Sequence, residues 1–292
     1  MTASDRAVSE FEQLFGRKVM RIGIQYVLPH SSPEEWAEET ANMGFRAAVF
    51  PIDYTAPVSL IDNYVKAAEA SDILIAEVGI WASPFSTDEK EAAAAREACL
   101  ESFRLADYIG ARCCVNVSGA FGPKWYFCYP ENYTEEAYRK NLDFIRYLID
   151  TVKPKNTCYA LESMQWMLPK SPEETLRFIR DVSSPYFKAH IDICNFINDA
   201  EKFVGSDELI DRCFDLLGSE TVSCHLKDVV LEDTLTVRIT EVLPGQGKLN
   251  IPHYLSCIDA LGDPDMPVMI EHLPDREAYE KALSYVNSIW KF

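Results

Sequence analysis

The sequence predicts one α/β domain of the (β/α)8, or TIM barrel, class. Short apolar or β-branched segments alternate with longer segments whose apolar residues recur at i, i+3 and i+4, and eight such rounds occur along the 292 residues. Four of the apolar segments in the second half end on a side chain that can bind a divalent cation. Strand ends of this kind are typical of the carboxyl-end face of a parallel barrel, where active sites of that fold lie. No stretch between residues 50 and 270 is rich enough in Pro, Gly and Ser to indicate a linker between two domains.

The predicted elements follow one another as strand and helix. The strands are predicted at residues 20–26, 45–50, 73–78, 112–117, 158–162, 187–192, 222–225 and 267–271. The helices are predicted at 33–43, 58–70, 88–109, 134–151, 172–181, 207–217, 252–261 and 276–289. Ser32 and Ser171 each precede Pro-Glu-Glu, which places favoured residue types at the N-cap, the first helical position and the first turn. Residues 1–19 are polar and are predicted to form an arm or an extra helix, and residues 20–292 the barrel.

A doubly wound open sheet is the rival architecture, because it also alternates strand and helix. Such a sheet usually has a glycine-rich phosphate loop after its first strand, whereas Tyr26-Val-Leu-Pro-His-Ser-Ser32 contains no glycine. Neither Gly-x-Gly-x-x-Gly nor Gly-x-x-x-x-Gly-Lys-Ser/Thr occurs in the chain. The eight rounds therefore favour the closed barrel, and no motif supports dinucleotide or nucleotide binding.

Charge and cysteine content exclude several classes of protein. The chain has 28 basic and 46 acidic residues, a formal net charge of −18, so we expect no nucleic acid partner and favour an unphosphorylated substrate. The nine cysteines form no Cys-x-x-Cys pair, and we expect buried thiols in a reducing compartment. Most of them lie in apolar segments: Cys99, Cys113, Cys114, Cys158, Cys224 and Cys257. No segment has the length of a signal-peptide core or a membrane span, so we expect a cytoplasmic protein without a membrane partner.

Four polar side chains at strand ends predict a metal site: Glu162, Asp192, His225 and Glu271. Each alone would more often be a solvated acid, a salt-bridge partner or a packed histidine. Together they occupy matching ends of the last four predicted strands, which a barrel brings to one rim. Three carboxylates and one imidazole form a mostly oxygen shell, which suits Mn²⁺, Mg²⁺ or Co²⁺, with Mn²⁺ preferred and Zn²⁺ less favoured.

These residues resemble the motifs of the xylose isomerase-like sugar isomerases and epimerases, a superfamily of single-domain barrels that includes ketose 3-epimerases and inosose dehydratase. The resemblance extends from about Arg21 to the C-terminus. Its motifs are the strand-end Glu162, Asp192-Ile-Cys-Asn195, His225-Leu-Lys-Asp228, Pro244-Gly-Gln-Gly247 and Ile270-Glu271. It implies one divalent metal held by the four residues above. It also implies a homodimer or homotetramer, with a different small subunit as an alternative partner.

The chain departs from the family pattern at two points. Many members have a histidine three residues after the Asp ligand, where this chain has Asn195, so a hydrogen bond or a ligand is altered there. Endonuclease IV relatives carry additional histidines for three zinc ions. This chain has five histidines, of which His253 lies in a predicted helix and His272 follows Glu271, so that trinuclear site is not expected.

The resemblance implies a metal-dependent isomerase or epimerase that acts on a free sugar or sugar derivative. In such enzymes the metal binds a carbonyl and a neighbouring hydroxyl and stabilises the enediolate that forms when the α proton leaves. We hypothesise that Glu162 and Glu271 are the acid/base pair as well as ligands. The alternative is a lyase or dehydratase of a keto-sugar, keto-glycoside or keto-inositol, which removes the same proton and then expels a β leaving group. A barrel that only binds or supports a partner is the non-enzymatic interpretation.

Seven further residues are predicted to contact a carbohydrate substrate: His30, Trp81, Trp125, Phe127, Asn195, Lys227 and Arg238. Lys227 points the same way as His225 in an extended segment, and a salt bridge with Asp228 is its alternative role. Arg238 lies in the long predicted loop and is predicted to be the cation for an acidic group on a substrate, with a solvated loop arginine as the alternative.

The aromatic members of this set follow the third and fourth strands, where they form either a sugar-binding wall or an oligomer interface. His190 precedes Asp192 by two residues, and we predict that it hydrogen-bonds behind the metal ligands.

Overall fold

Eight parallel strands close into a barrel in the computed structural model, which describes residues 20–290. The barrel strands are β1 (Arg21–Ile24), β2 (Ala47–Val49), β3 (Leu74–Gly79), β4 (Cys113–Asn116), β5 (Tyr159–Glu162), β6 (Phe187–Asp192), β7 (Thr221–Leu226) and β10 (Pro267–Ile270). Two more strands, β8 (Asp228–Leu231) and β9 (Ile239–Val242), form a separate hairpin. Around the barrel the order is β1, β10, β7, β6, β5, β4, β3, β2, and β2 pairs with β1. The predicted closed barrel is therefore confirmed, and the open sheet is excluded.

Helices follow the barrel strands as crossover elements. They are α1 (Pro33–Met43), α2 (Val58–Ala70), α3 (Glu89–Ile109), α4 (Glu135–Val152), α5 (Pro172–Val182), α6 (Ile193–Phe196), α7 (Ala200–Val204), α8 (Ser206–Leu217), α9 (Ile251–Asp259) and α10 (Arg276–Ile289). Both predicted caps are confirmed, since Ser32 and Ser171 accept from the backbone N–H of Glu35 and Glu174. The short α6 and α7 were not predicted. The predicted arm at residues 1–19 lies outside the described residues.

Successive side chains along each strand point alternately into the barrel interior and outward to the helix layer. On β10, Val268 and Ile270 pack in the main core, whereas Met269 packs with Ala47 in a separate small cluster. A Cβ at Gly23 would lie 2.1 Å from Met269 Sδ, so the methionine requires glycine opposite it. Because Gly23 and Ala47 are small, the side chain of Met269 can fill the space beside them.

The segment 228–250, predicted as a loop, contains the antiparallel β8–β9 hairpin. The two ends of this segment are joined by Asp228. Its carboxylate accepts from four backbone N–H groups, those of Val229, Gly245, Gly247 and Leu249. A Cβ at Gly247 would lie 2.0 Å from Asp228 Oδ1, so only glycine fits there. The salt bridge considered between Lys227 and Asp228 is not formed, because backbone donors surround this carboxylate.

All nine thiols are free, and seven of them are buried, as the sequence predicts. Cys257 was also expected to be buried, but it is only partly so because it lies on the outer surface of α9. Cys128 is exposed. Between residues 20 and 290, no helix combines the length and the apolar character that crossing a membrane requires.

Candidate metal centre

The four predicted ligands converge at the carboxyl end of the barrel. Glu162, Asp192 and His225 lie at the ends of β5, β6 and β7, and Glu271 directly follows β10. Each offers one donor atom, and these atoms all lie within 4.8 Å of one another. The four side chains are at most 5% exposed. The prediction that these residues share one site is consistent with this geometry.

Strand register explains the convergence. Asp192 is the partner of His225 across β6 and β7, and His225 is the partner of Met269 across β7 and β10. Glu271 follows Met269 by two residues, so it lies on the same inward side of the chain. Glu162 pairs with His190, one inward position before Asp192.

The imidazole of His225 is at the centre of the donor set. Its Nδ1 lies 2.8 Å from Glu271 Oε1, 3.2 Å from Glu162 Oε1 and 3.8 Å from Asp192 Oδ2. Three carboxylates around one imidazole repel one another in a site removed from water, and a cation bound among them relieves that repulsion. The oxygen-rich set fits a hard divalent cation of the Mg²⁺ or Mn²⁺ kind.

Lys227 supplies positive charge beside these carboxylates. Its Nζ lies 2.7 Å from Asp192 Oδ2 and 2.6 Å from Glu271 Oε1, yet the angles at these two buried oxygens are not those of hydrogen bonds. Burial alone would raise the pKa of Glu271, but His225 and Lys227 hold it well below its usual range. Burial would lower the pKa of Lys227, but Asp192 and Glu271 raise it well above its usual value. Both groups are therefore charged, and two carboxylate oxygens still lack a well-oriented partner.

Glu162 is held from both sides by hydrogen bonds. Trp81 Nε1 donates to its Oε2 at 2.8 Å, and Asn195 Nδ2 donates to its Oε1 at 3.1 Å. Trp81 has a φ of 45°, and a Cβ at Gly79 would collide with its ring at 1.9 Å. The loop after β3 therefore accepts a strained residue, for which Gly79 leaves room, and the indole reaches the carboxylate.

A fourth carboxylate, that of Glu77, was not among the predicted site residues and lies behind His225. Glu77 Oε2 is 3.3 Å from His225 Nε2, and Glu77 Oε1 accepts from Ser223 Oγ at 2.5 Å. Gln25 Nε2 also donates to Glu77. Burial would raise the pKa of this fully buried carboxyl, but His225 lowers it. The sequence signal was a lone acid inside the apolar segment 73–78.

His190 lies beside this carboxylate, behind the donors. Its Nδ1 is 3.5 Å from Glu77 Oε1, and its ring stands edge-on to His225 with centroids 4.1 Å apart. Neither ring nitrogen has a hydrogen bond within the described residues. Burial and the neighbouring His225 lower the pKa of His190, so it is neutral. The predicted location is thus found, but the predicted hydrogen bond is not.

The rim of the site carries Glu241 from β9 and His272 from the turn after β10. His272 Nδ1 lies 2.9 Å from Glu241 Oε2, and its Nε2 lies 3.6 Å from Glu271 Oε2. The hydrogen bond to Glu241 raises the pKa of His272. A cavity of about 400 Å³ opens beside these residues and Lys227. Neither rim residue was predicted as a site residue.

Other predicted substrate contacts lie away from the donors. Arg238 is exposed and pairs with Glu232 at 3.8 Å. His30 uses both ring nitrogens, at 2.6 Å from Leu28 O and 2.7 Å from Tyr64 Oη, so it packs against α2. Neither side chain contacts the four clustered residues within the described chain, and their role as substrate contacts stays a prediction.

The two remaining aromatic residues lie in the loop after β4. Trp125 packs in a small cluster that also includes Trp81. Phe127 is 51% exposed and lies 5.7 Å from Lys124 Nζ, measured to the ring centre. Trp125 thus packs in the same cluster as Trp81, whose indole reaches Glu162, whereas Phe127 is exposed to solvent.

The chain belongs to the xylose isomerase-like TIM barrel family, whose profile matches residues 37–289. Comparison with curated proteins gave no match.

Solved structures share the fold at low sequence identity. A D-tagatose 3-epimerase-like protein has a TM-score of 0.69 at 17% identity, covering 92% of this chain and 97% of its own. A 3-keto-D-glucoside 4-epimerase from E. coli has a TM-score of 0.64 at 14% identity, covering 92% and 99%. A xylose isomerase-like TIM barrel protein from Mycobacterium smegmatis, in complex with magnesium, has a TM-score of 0.67 at 13% identity, covering 92% and 95%.

Proposed function

We propose that this protein is a metal-dependent isomerase or epimerase of a free sugar or sugar derivative. The observation that carries the proposal is the pair of buried carboxylates, Glu162 and Glu271, at 3.2 and 2.8 Å from His225 Nδ1. Together with Asp192 they would hold one divalent cation, with Mn²⁺ preferred among Mn²⁺, Mg²⁺, Co²⁺ and Zn²⁺. When bound, such a cation stabilises the negative charge that develops on substrate oxygens as a neighbouring C–H loses its proton.

The two glutamates are suited to move that proton. Both oxygens of Glu162 accept a hydrogen bond, from Trp81 and Asn195, which fixes the carboxylate while leaving lone pairs for a proton. Glu271 is held by Lys227 and faces the rim through Oε2. One carboxylate takes the proton next to the carbonyl, and the carboxyl group across the substrate returns it to the opposite face or to the adjacent carbon.

Two cavities have room for a monosaccharide: one is lined in part by the donor Glu271, and the other by residues that contact the donors His225 and Glu162. One of about 400 Å³ is lined by Lys227, Glu241, Glu271 and His272, and one of about 590 Å³ is lined in part by Gln25 and Trp81. The surroundings offer hydrogen-bonding groups and an indole face, and the chain as a whole carries a charge of −18. An uncharged polyol fits this setting better than a phosphorylated one.

Metal content is the first test. Protein purified without chelator is analysed by elemental mass spectrometry beside Glu162→Ala, and we expect the mutant to lose about one Mn, Mg, Co or Zn per chain. If wild type holds no stoichiometric metal after divalent cations are supplied, the proposal is contradicted and the non-enzymatic interpretation is favoured.

Exchange with solvent tests the reaction itself. Metal-loaded protein is incubated with a panel of ketoses in heavy water, and an epimerase or isomerase gives deuterated sugar of unchanged formula. Loss of water or of an aglycone would instead support the lyase alternative. Glu271→Gln is expected to slow exchange about 10²- to 10⁴-fold at saturating metal. Glu280→Gln, on the exposed side of α10, is the matched control, and full activity in Glu271→Gln would refute the assigned role.

A further inference from the structure

A second cluster of metal-binding side chains lies outside the barrel, between α8 and α9. Asp211 comes from α8, and His253 and Cys257 come from α9, where a spacing of four residues puts them on one face. Asp211 Oδ1 lies 2.8 Å from His253 Nε2, and Cys257 Sγ lies 3.9 Å from the same nitrogen. The three donor atoms lie within 4.8 Å of one another.

The geometry at His253 separates a metal site from a nucleophile triad. A Cys–His–Asp triad needs the thiol and the carboxylate at opposite nitrogens of the imidazole ring. One nitrogen then takes the proton of the thiol, while the carboxylate at the other nitrogen orients the ring. Here both Asp211 and Cys257 meet Nε2. Three donors of different type therefore face one point, as ligands of one cation do.

The electrostatic surroundings favour a cation. Asp207 and Asp215 lie one turn before and after Asp211 on α8. Within residues 20–290 no Lys or Arg forms an ion pair with any of these three aspartates. Burial, together with the charges of Asp211 and Asp215, raises the pKa of the Cys257 thiol. The negative charges of the three aspartates attract a divalent cation. Asp211 and His253 are partly exposed, so an ion can reach them from solvent.

We propose that Asp211, His253 and Cys257 form a second divalent metal site that takes a borderline-soft cation, Zn²⁺ before others, and links α8 to α9. On binding, the Cys257 thiol releases its proton to solvent, and the thiolate, the imidazole and the carboxylate take three positions around the ion. Asp215 or water completes the shell. The thiolate separates this site from the barrel centre, whose donors are oxygen and nitrogen.

Co²⁺ is the probe, because Co²⁺ bound to a thiolate gives an intense near-ultraviolet charge-transfer band that oxygen and nitrogen ligands do not give. Reduced, metal-stripped full-length protein is titrated with Co²⁺ and then with Zn²⁺. We expect the band to reach the intensity of one thiolate-bound Co²⁺ per chain after no more than two added equivalents, because the barrel centre can take the other, and to disappear when Zn²⁺ displaces Co²⁺. Cys257→Ser is expected to remove the band, while Cys128→Ser, which alters an exposed thiol elsewhere, keeps it.

Other variants keep the test decisive. Asp211→Asn and His253→Gln both retain the Cys257 thiol, and each should weaken Co²⁺ binding about tenfold or more. Glu162→Ala should leave the band unchanged, which separates this site from the one in the barrel. No band, a band that survives Cys257→Ser, or a band that appears only at about 1 mM Co²⁺ or above would overturn the proposal.

Discussion

Glu77 is the residue whose burial most needs a functional explanation. A fully buried carboxylate is costly unless it is hydrogen-bonded and paired, and Glu77 meets Gln25, Ser223 and His225. Its position behind Nε2 fixes the imidazole so that Nδ1 faces Glu162 and Glu271. Carboxylates that hold a ligand histidine in this way orient it and increase its basicity.

We expect Glu77→Gln to weaken binding of Mn²⁺ at the barrel centre about 10- to 100-fold, because the amide removes the charge behind His225. The affinity is measured by competition with a chelator of known strength. Ser223→Ala, which removes one hydrogen bond to Glu77 but no charge, should have a smaller effect. Equal affinity in Glu77→Gln and wild type would show that Glu77 serves packing alone.

The protonation of His225 predicts how metal binding depends on pH. In the metal-free protein burial would lower its pKa, but the surrounding carboxylates, Glu271 foremost, raise it well above 6.5. Because this pKa is higher in the folded chain than in the unfolded one, the protonated ring stabilises the metal-free fold below pH 6.5, and the contribution is lost as pH rises through the folded value. A cation bound at Nδ1 would replace that proton.

Affinity for Mn²⁺ is therefore expected to rise with pH as long as the pH lies below the folded pKa of His225. Calorimetry in buffers of different ionisation enthalpy should record proton release on binding. Affinity that does not change with pH, without proton release, would contradict the assignment of His225 as a ligand.

Residue patterns along the chain predicted the four clustered side chains, but not the residues behind them that hold them in place. Glu162, Asp192, His225 and Glu271 each end an apolar segment, and strand geometry alone brings such residues together. Glu77 and His225 are 148 residues apart, and their contact crosses the barrel interior. No local pattern records a contact of that kind, so only the lone acid in an apolar strand pointed to it.

At the level of elements, the β8–β9 hairpin is the main feature that differs from the prediction, which placed a loop there. Its first strand, Asp228–Leu231, is short, and its partner Ile239–Val242 has two adjacent polar residues at its centre and so lacks the alternation that indicates a strand. The barrel strands and their helices were predictable because each repeats a strand-plus-helix unit with clear periodicity. The hairpin has no such repeat and depends on one carboxylate, that of Asp228.

Asp228→Asn is expected to lower the free energy of unfolding by about 1.5 to 3 kcal/mol, because the amide has one acceptor oxygen where the carboxylate uses two. The loss should appear as a lower melting temperature. It should also raise KM, since β9 carries Glu241 to the rim beside Lys227. Asp233→Asn, at an exposed position of the same hairpin, is the control. Unchanged stability and KM in Asp228→Asn would show that the hairpin closes without this carboxylate.

Across the whole molecule, the donors lie on four strands that are consecutive around the barrel, in the order β5, β6, β7 and β10. A cation bound to all four would connect half of the barrel wall at its carboxyl end. The homodimer or homotetramer expected from the family resemblance stays a prediction.

Metal binding should therefore stabilise the entire fold. A cation at 100 times its Kd adds about 2.7 kcal/mol to the free energy of unfolding, provided that it does not bind the unfolded chain. For a chain of this size that gain corresponds to a rise in melting temperature of about 5 to 10 °C. The measurement is thermal unfolding with Mn²⁺ and with chelator, in a Cys257→Ser background so that the proposed site between α8 and α9 does not contribute. Glu162→Ala in the same background should lose most of the shift, because it leaves three donors, whereas Glu280→Gln should keep it. A shift of equal size in Glu162→Ala would mean that the stabilising cation binds elsewhere on the protein.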